Sequence, residues 1–163
     1  MLFYGVNHHF NEDSDCLEHL DIMLGIIKTF GDDLPASCQA TCQEAWALLD
    51  AVILRYGQHF SVAEQAMRVC RRGLDFFGAM SLPIVPQVLS RLASAFDTSG
   101  NSSYLWIIGK VITKFTNEED VSLRESFKQA YQVVSAKVQL LLQQQSAAEI
   151  PDGKYPARKI CLC

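Results

Sequence analysis

The sequence has almost none of the marks of a β-rich fold. No segment alternates apolar and polar residues over any length, and the hairpin-forming dipeptides Asn-Gly and Asp-Gly occur only once, as Asp152-Gly153. A two-residue period and turns of this kind are the main signals of strands in a sequence. Their absence predicts an all-α protein.

Long apolar runs and an excess of positive charge are also missing. The longest apolar runs, near Tyr104–Ile108 and Val138–Leu142, are far shorter than the roughly 20 residues of a membrane-spanning helix. The first ten residues lack the charged segment and cleavage site of a signal peptide. The net charge is −4, whereas nucleic-acid-binding domains are usually basic. We therefore expect no membrane partner, no direct nucleic-acid partner, and a reducing environment in which the cysteines need not pair.

Motifs for catalysis, metal binding and phosphate binding are absent as well. There is no nucleophile elbow, no glycine-rich phosphate loop and no His-Glu-x-x-His metal-binding motif. Cys38 and Cys42 lie four positions apart, but a zinc site needs a second pair of ligands that the sequence does not offer. Both fall on the apolar stripe of a predicted helix with Trp46, so we interpret them, like Cys16 and Cys70, as small core residues. The sequence predicts no enzyme, no metal and no cofactor.

What the sequence does contain is helical periodicity along nearly its whole length. The third and sixth helices are predicted to open with capping boxes, Ser61–Glu64 and Thr116–Glu119, and a loop is predicted over Asp97–Ser102. About six helices are predicted, over Ser14–Phe30, 36–56, Ser61–Phe77, Leu82–Phe96, Ser103–Phe115 and 116–146.

The short connections make neighbouring helices antiparallel. Pairs of about 40 residues are the size of HEAT-type units, which stack into solenoids. A closed helical bundle would show the same apolar stripes, so periodicity alone leaves both folds open.

Three arginines form the one cluster that suggests a binding site. Arg68, Arg71 and Arg72 lie at i, i+3 and i+4 of the third predicted helix, so they share a face. They are either a solvated basic face or a fork-like site for carboxylate or phosphate groups on a partner.

The chain resembles a C-terminal-half segment of transportin-SR, most closely its fungal members, a branch of the importin-β (karyopherin-β) superfamily of nuclear transport receptors. The resemblance covers about Leu17 to Asp152 and rests on the order and spacing of three stretches, CQATCQEAWALLDAVILRYG, AEQAMRVCRRGLDFFG and SSYLWIIGKVITKF. It implies an α-solenoid of antiparallel HEAT-type helix pairs, with two full repeats and two half repeats.

The resemblance also implies a function and a site. It indicates a fragment of a nuclear import receptor that shuttles between cytoplasm and nucleus and binds SR-type RNA-binding proteins as protein cargo. The Ran GTPase and nucleoporins are the implied partners of the full-length receptor. Arg68 and Arg71 match arginines that face cargo in the family, and Arg72 adds a charge beside them. Gln65 and Asp75 stand where the family has further arginines, so the basic ladder is thinner here.

Both ends of the chain depart from the resemblance. Residues 1–13 have no family counterpart, which indicates a non-family or mispredicted start, and residues 14–152 form the expected solenoid fragment. Residues 153–163 form an irregular tail that we interpret as intron read-through, because Gly153-Lys-Tyr can be encoded by codons that contain a common splice-donor sequence. The alternative to a receptor fragment is a self-contained helical bundle that acts as an adaptor or binds a small molecule.

Overall fold

The computed structural model describes residues 13–29 and 38–147, and within these ranges the backbone is almost wholly helical with no strand. The predicted all-α fold is therefore confirmed. The elements are α1 (Asp13–Thr29), α2 (Cys38–Tyr56), α3 (Phe60–Phe77), a 3₁₀ segment (Gly78–Ile84), α4 (Val85–Ser99), α5 (Ser102–Phe115) and α6 (Val121–Ala147). The segments 1–12 and 148–163 lie outside the described residues, so the predictions for the two ends stay predictions.

The helices form two layers. In the odd layer, α3 lies between α1 and α5, and in the even layer α4 lies between α2 and α6. The layers are joined mainly through the pairs α2–α3 and α4–α5. These pairs are two full repeats, while α1 and α6 are the two half repeats, as predicted. An α-solenoid has this arrangement, because each helix pair buries its apolar faces against the next pair.

One continuous core fills the space between the layers. Every helix contributes to it, because the apolar stripe of each helix faces the opposite layer. The largest side chains that are fully buried are Tyr104, Leu20, Met67, Leu89, Leu92, Ile107 and Leu123.

Polar contacts with buried or partly buried partners join one repeat to the next in both layers. In the odd layer, the Tyr104 hydroxyl of α5 donates a hydrogen bond of 2.9 Å to the carbonyl of Gly57, in the loop before α3. In the even layer, the Arg91 guanidinium of α4 donates to both carboxylate oxygens of Asp50 on α2, at 2.6 and 3.1 Å. These hydrogen bonds raise the pKa of Arg91 above its usual range. Periodicity in the sequence signals neither contact.

The two predicted capping boxes are wrong. Helix α3 begins one residue earlier than predicted, with His59 as an N-cap whose side chain makes no capping bond, and Glu64 pairs with Arg68 instead. Helix α6 is capped by Asp120, whose Oδ1 accepts from the backbone N–H groups of Ser122 at 2.7 Å and Leu123 at 3.3 Å. Hydrogen bonds from the side chain and backbone of Ser122 lower the pKa of Asp120. Asp120 directly precedes the helix and so reaches its free N–H groups, whereas the predicted cap, Thr116, lies too far before the first helical residue.

The segment around the fourth helix also differs from the prediction. The residues before it form the 3₁₀ segment, which contains Pro83, and α4 then continues to Ser99. The predicted loop shrinks to Gly100 and Asn101. Gly100 has φ 67°, a left-handed conformation that favours glycine, and the Asn101 side chain caps α5 by accepting from the Ser103 N–H at 3.0 Å.

Two of the predicted core cysteines are confirmed. Cys42 and Cys70 are buried in the core, and burial raises the pKa of the Cys70 thiol to about 12. Burial also raises the pKa of Cys42, against a weak contact with the Ser81 hydroxyl at 4.0 Å. The side chains of Cys16 and Cys38 lie outside the described set.

The stretch Phe60–Ser99 is long and apolar enough to cross a membrane by length and composition alone. In the structure it is not one straight helix, because the 3₁₀ segment turns the chain from the odd layer into the even layer. Many of its apolar residues lie in the core, and core helices of soluble proteins pass the same test.

Gly73 offers a way to stabilise the core. It lines an apolar space of about 40 Å³ with Trp46 and Cys70, and a Cβ built on Gly73 meets no atom within 4 Å. We expect Gly73→Ala to raise the free energy of unfolding by about 1 kcal/mol, because alanine favours the helix and its methyl group enters an apolar space without a clash. Denaturant unfolding measures the change. The control is Gly25→Ala, at an exposed position of α1 with equal room, where alanine contributes only its higher helix propensity. A loss of stability in Gly73→Ala would contradict this geometry.

Candidate binding face on α3 and α5

The three arginines lie on the exposed side of α3. The buried residues of that helix include Met67, Cys70 and Leu74, which face the core, while Arg68, Arg71 and Arg72 are exposed to solvent. The helical period separates the two sets onto opposite sides. The structure thus brings the three predicted site residues together on one face, and their role in binding stays a prediction.

Two carboxylates on the same helix pair with these arginines. Arg68 lies 2.6 Å from Glu64, and Arg71 lies 3.6 Å from Asp75. The side chains of Arg68 and Arg71 remain 59% and 45% exposed, so solvent screens both pairs. A stronger anionic partner can exchange for either carboxylate at low cost.

Helix α5 adds groups to this face that the sequence reasoning missed. The Arg71 guanidinium lies over the ring of Trp106, 5.8 Å from its centroid, and Trp106 is 43% exposed. Lys114 lies 3.4 Å from Asp75, the same carboxylate that Arg71 approaches. Asp75 therefore lies between a cation from α3 and a cation from α5.

A signal for the α5 residues was present in the sequence. In the sequence, Leu105 fits an apolar stripe of the fifth helix as well as Tyr104 does, but Leu105 is exposed and the buried stripe begins at Tyr104. Both choices fit a helical period. Once Tyr104 is placed in the core, Trp106, Lys110 and Lys114 share the opposite face at four-residue spacing.

Two shallow grooves run between α3 and α5, and Trp106 and Arg71 stand where they meet. The first groove encloses about 360 Å³ and is lined by Glu64, Met67, Arg68, Ser102, Ser103 and Trp106. The second encloses about 200 Å³ and is lined by Arg71, Leu74, Asp75, Ile107, Lys110, Thr113 and Lys114. We call the two together the α3–α5 groove.

The charge of the α3–α5 groove is opposite to that of the chain. The chain carries a net charge of −4, yet its acidic residues here are only Glu64 and Asp75. The cations that line the groove are Arg68, Arg71, Lys110 and Lys114, whereas Arg72 is exposed on α3 outside the lining of both grooves. On the other side of α3, Gln65 donates a hydrogen bond to Asp21 of α1, so the basic surface faces α5 rather than α1. The arrangement suits the binding of anionic groups.

Among the described residues, no group of three or more His, Cys, Asp or Glu side chains could hold a metal ion.

Residues 36–142 match the protein family described as the Transportin-3/Importin-13 fourth TPR domain. The chain belongs to this family. The match covers α2 to α5 completely and most of α6, so the α3–α5 groove lies entirely within the family domain. The predicted relation to the transportin branch of the importin-β superfamily is confirmed.

One curated relative of the Transportin-3/Importin-13 domain is the mRNA transport regulator MTR10 of Saccharomyces cerevisiae, which is 30% identical over 87 residues. The matched region covers 53% of this chain and 8% of the relative. No solved structure matches the chain significantly. Neither the family description nor the name of the relative states a catalytic activity.

Proposed function

We propose that this Transportin-3/Importin-13 domain is part of a nuclear import receptor and binds protein cargo of the SR type through Arg68, Arg71 and Arg72. The observation that carries the proposal is the basic α3–α5 groove, which lies inside the family domain of an otherwise acidic chain. SR-type proteins offer serine-phosphorylated segments, and arginine binds phosphate through two parallel N–H donors.

The receptor as a whole would work by regulated release. In the proposed cycle, cargo binds in the cytoplasm and the Ran GTPase in its GTP form displaces it in the nucleus, while nucleoporins guide passage through the pore. The chain spans only 8% of the length of its yeast relative, so these activities belong to the whole receptor.

The small-molecule alternative would need a ligand-sized cavity in the core, and the core of the described part of the chain has only a small one. The apolar space in the core is about 40 Å³, whereas pockets for drug-sized ligands hold several hundred Å³. The two-layer stacking also differs from a bundle that closes around one axis.

A peptide titration tests the proposal. We expect the whole chain to bind a fluorescently labelled peptide of Arg-Ser repeats with phosphorylated serines, and to bind it more weakly as the salt concentration rises. An uncharged Gly-Ser peptide of equal length is the control. Absence of binding by the phosphorylated peptide at low salt would contradict cargo recognition by this domain. For the full-length receptor, cargo that stays bound in excess Ran-GTP would contradict the release step.

A further inference from the structure

We infer that the cargo site has two sides, and that helix α5 supplies the second side through Trp106, Lys110 and Lys114. On this inference, which rests on the proposed function, a phosphoserine-bearing protein segment lies along the α3–α5 groove rather than on α3 alone. Its phosphates sit between cations of α3 and cations of α5.

The position of Asp75 is the first observation behind this inference. Its carboxylate already lies between Arg71 on one helix and Lys114 on the other, at 3.6 and 3.4 Å. The two cations thus converge on one anion in the unbound chain. A phosphate, with more negative charge and more acceptor oxygens, would displace the Asp75 carboxylate from the same place.

The position of Trp106 is the second observation. An exposed tryptophan stacked under an arginine is the kind of residue that carries much of the energy of protein interfaces. Trp106 lines the first groove and contacts Arg71 of the second through its ring. A segment that crosses from one groove to the other would cover the ring and exclude water from the Arg71 contact.

The dimensions fit a short extended segment. Glu64 and Asp75 mark the two ends of the groove on α3, and eleven helical steps of about 1.5 Å separate them by roughly 16 Å. An extended chain covers that distance in about five residues. Two or three phosphoserines of an Arg-Ser repeat would therefore contact the groove at once.

Removal of the α5 cations is the central test. We expect Lys110→Ala/Lys114→Ala to weaken the affinity for the phosphorylated Arg-Ser peptide about tenfold, since two charge-assisted contacts are lost. The matched control is Arg124→Ala/Lys128→Ala, which removes two exposed cations from α6 in the even layer and should have little effect. Circular dichroism melts should show that all variants fold alike.

Asp75 gives a test with the opposite sign. We expect Asp75→Asn to tighten peptide binding about threefold, because the peptide no longer competes with the carboxylate. Asp97→Asn, at an exposed position on α4, removes the same charge from the even layer and should have little effect. If Asp75 only stabilised the fold, Asp75→Asn would instead weaken peptide binding, which would contradict the inference.

Tryptophan fluorescence reports where the peptide lies. The chain has two tryptophans, of which Trp46 is buried and Trp106 is exposed. We expect the phosphorylated peptide to change the fluorescence of the wild-type chain and to leave that of Trp106→Phe nearly unchanged.

These outcomes separate this inference from the proposed function. If no phosphorylated peptide binds to the wild-type chain, both fail. If the peptide binds and loss of Arg68 and Arg71 weakens it, but the two lysine substitutions match their control, the function stands and the two-sided site is wrong. Equal or tighter binding of a single-stranded RNA of the same charge would also overturn the assignment to a protein segment.

Discussion

Gly57→Ala should cost about 3 kcal/mol of folding free energy and lower the thermal midpoint by about 10 °C. A Cβ built at Gly57 meets the Ile53 carbonyl oxygen and the Tyr104 hydroxyl, the latter at 2.5 Å. Neither atom can move easily, because Ile53 belongs to the backbone of α2 and the fully buried Tyr104 is held by the core. The contact that joins the two repeats in the odd layer would therefore have to open.

Tyr104→Phe separates the hydrogen bond from the packing. The ring stays, but the Gly57 carbonyl loses its donor, and we expect a smaller loss of about 1–2 kcal/mol. Burial raises the pKa of Tyr104 to about 12, so its hydroxyl remains a donor at neutral pH. Thermal melts followed by circular dichroism measure both variants.

Gly109→Ala is the control for Gly57, since a Cβ at this helical glycine of α5 meets nothing within 4 Å. It should leave stability unchanged or slightly raised. If Gly57→Ala melted like this control, the close approach of Tyr104 to Gly57 would be wrong.

The double change Arg68→Ala/Arg71→Ala in the full-length receptor should weaken SR-type cargo binding by roughly tenfold to a hundredfold. Contacts of this kind are worth about 1.5–3 kcal/mol each when they are partly shielded from water. The expected loss is smaller than the sum of two such contacts, because each arginine gives up a carboxylate partner when it binds cargo. The loss should shrink at high salt, where part of the wild-type advantage is screened.

Two comparisons make this result specific. Lysine at positions 68 and 71 should restore binding only in part, because an ammonium group cannot form the bidentate contact of a guanidinium group. Ran binding should stay unchanged, since the substitutions touch only the α3–α5 groove. Cargo affinities equal to wild type at both salt concentrations would place Arg68 and Arg71 among ordinary surface charges.

The sequence predicted the helices well because each carries a strong apolar period. Five of the six begin and end within about three residues of their predicted bounds, and α2, which holds Cys42 and Trp46, ends at residue 56 as predicted. The failures are at helix starts. Ser61 and Thr116 have side chains that can cap a helix. Which residue is the cap depends on where the first turn forms, and in the structure the N-cap residues are His59 and Asp120.

The sequence by itself determined the all-α class, the pairing of consecutive helices and the shared face of Arg68, Arg71 and Arg72. These follow from local spacing, since residues three or four positions apart always lie together on a helix. Only the tertiary structure decided what faces the arginines. Trp106 contacts Arg71 from 35 positions away, and Lys114 contacts the arginine's partner Asp75 from 39 positions away. Both are possible because Tyr104 rather than Leu105 turns into the core and so fixes the rotation of α5 against α3. Periodicity allows either rotation, and the choice depends on the fit of Tyr104 against Gly57, which is a contact between repeats.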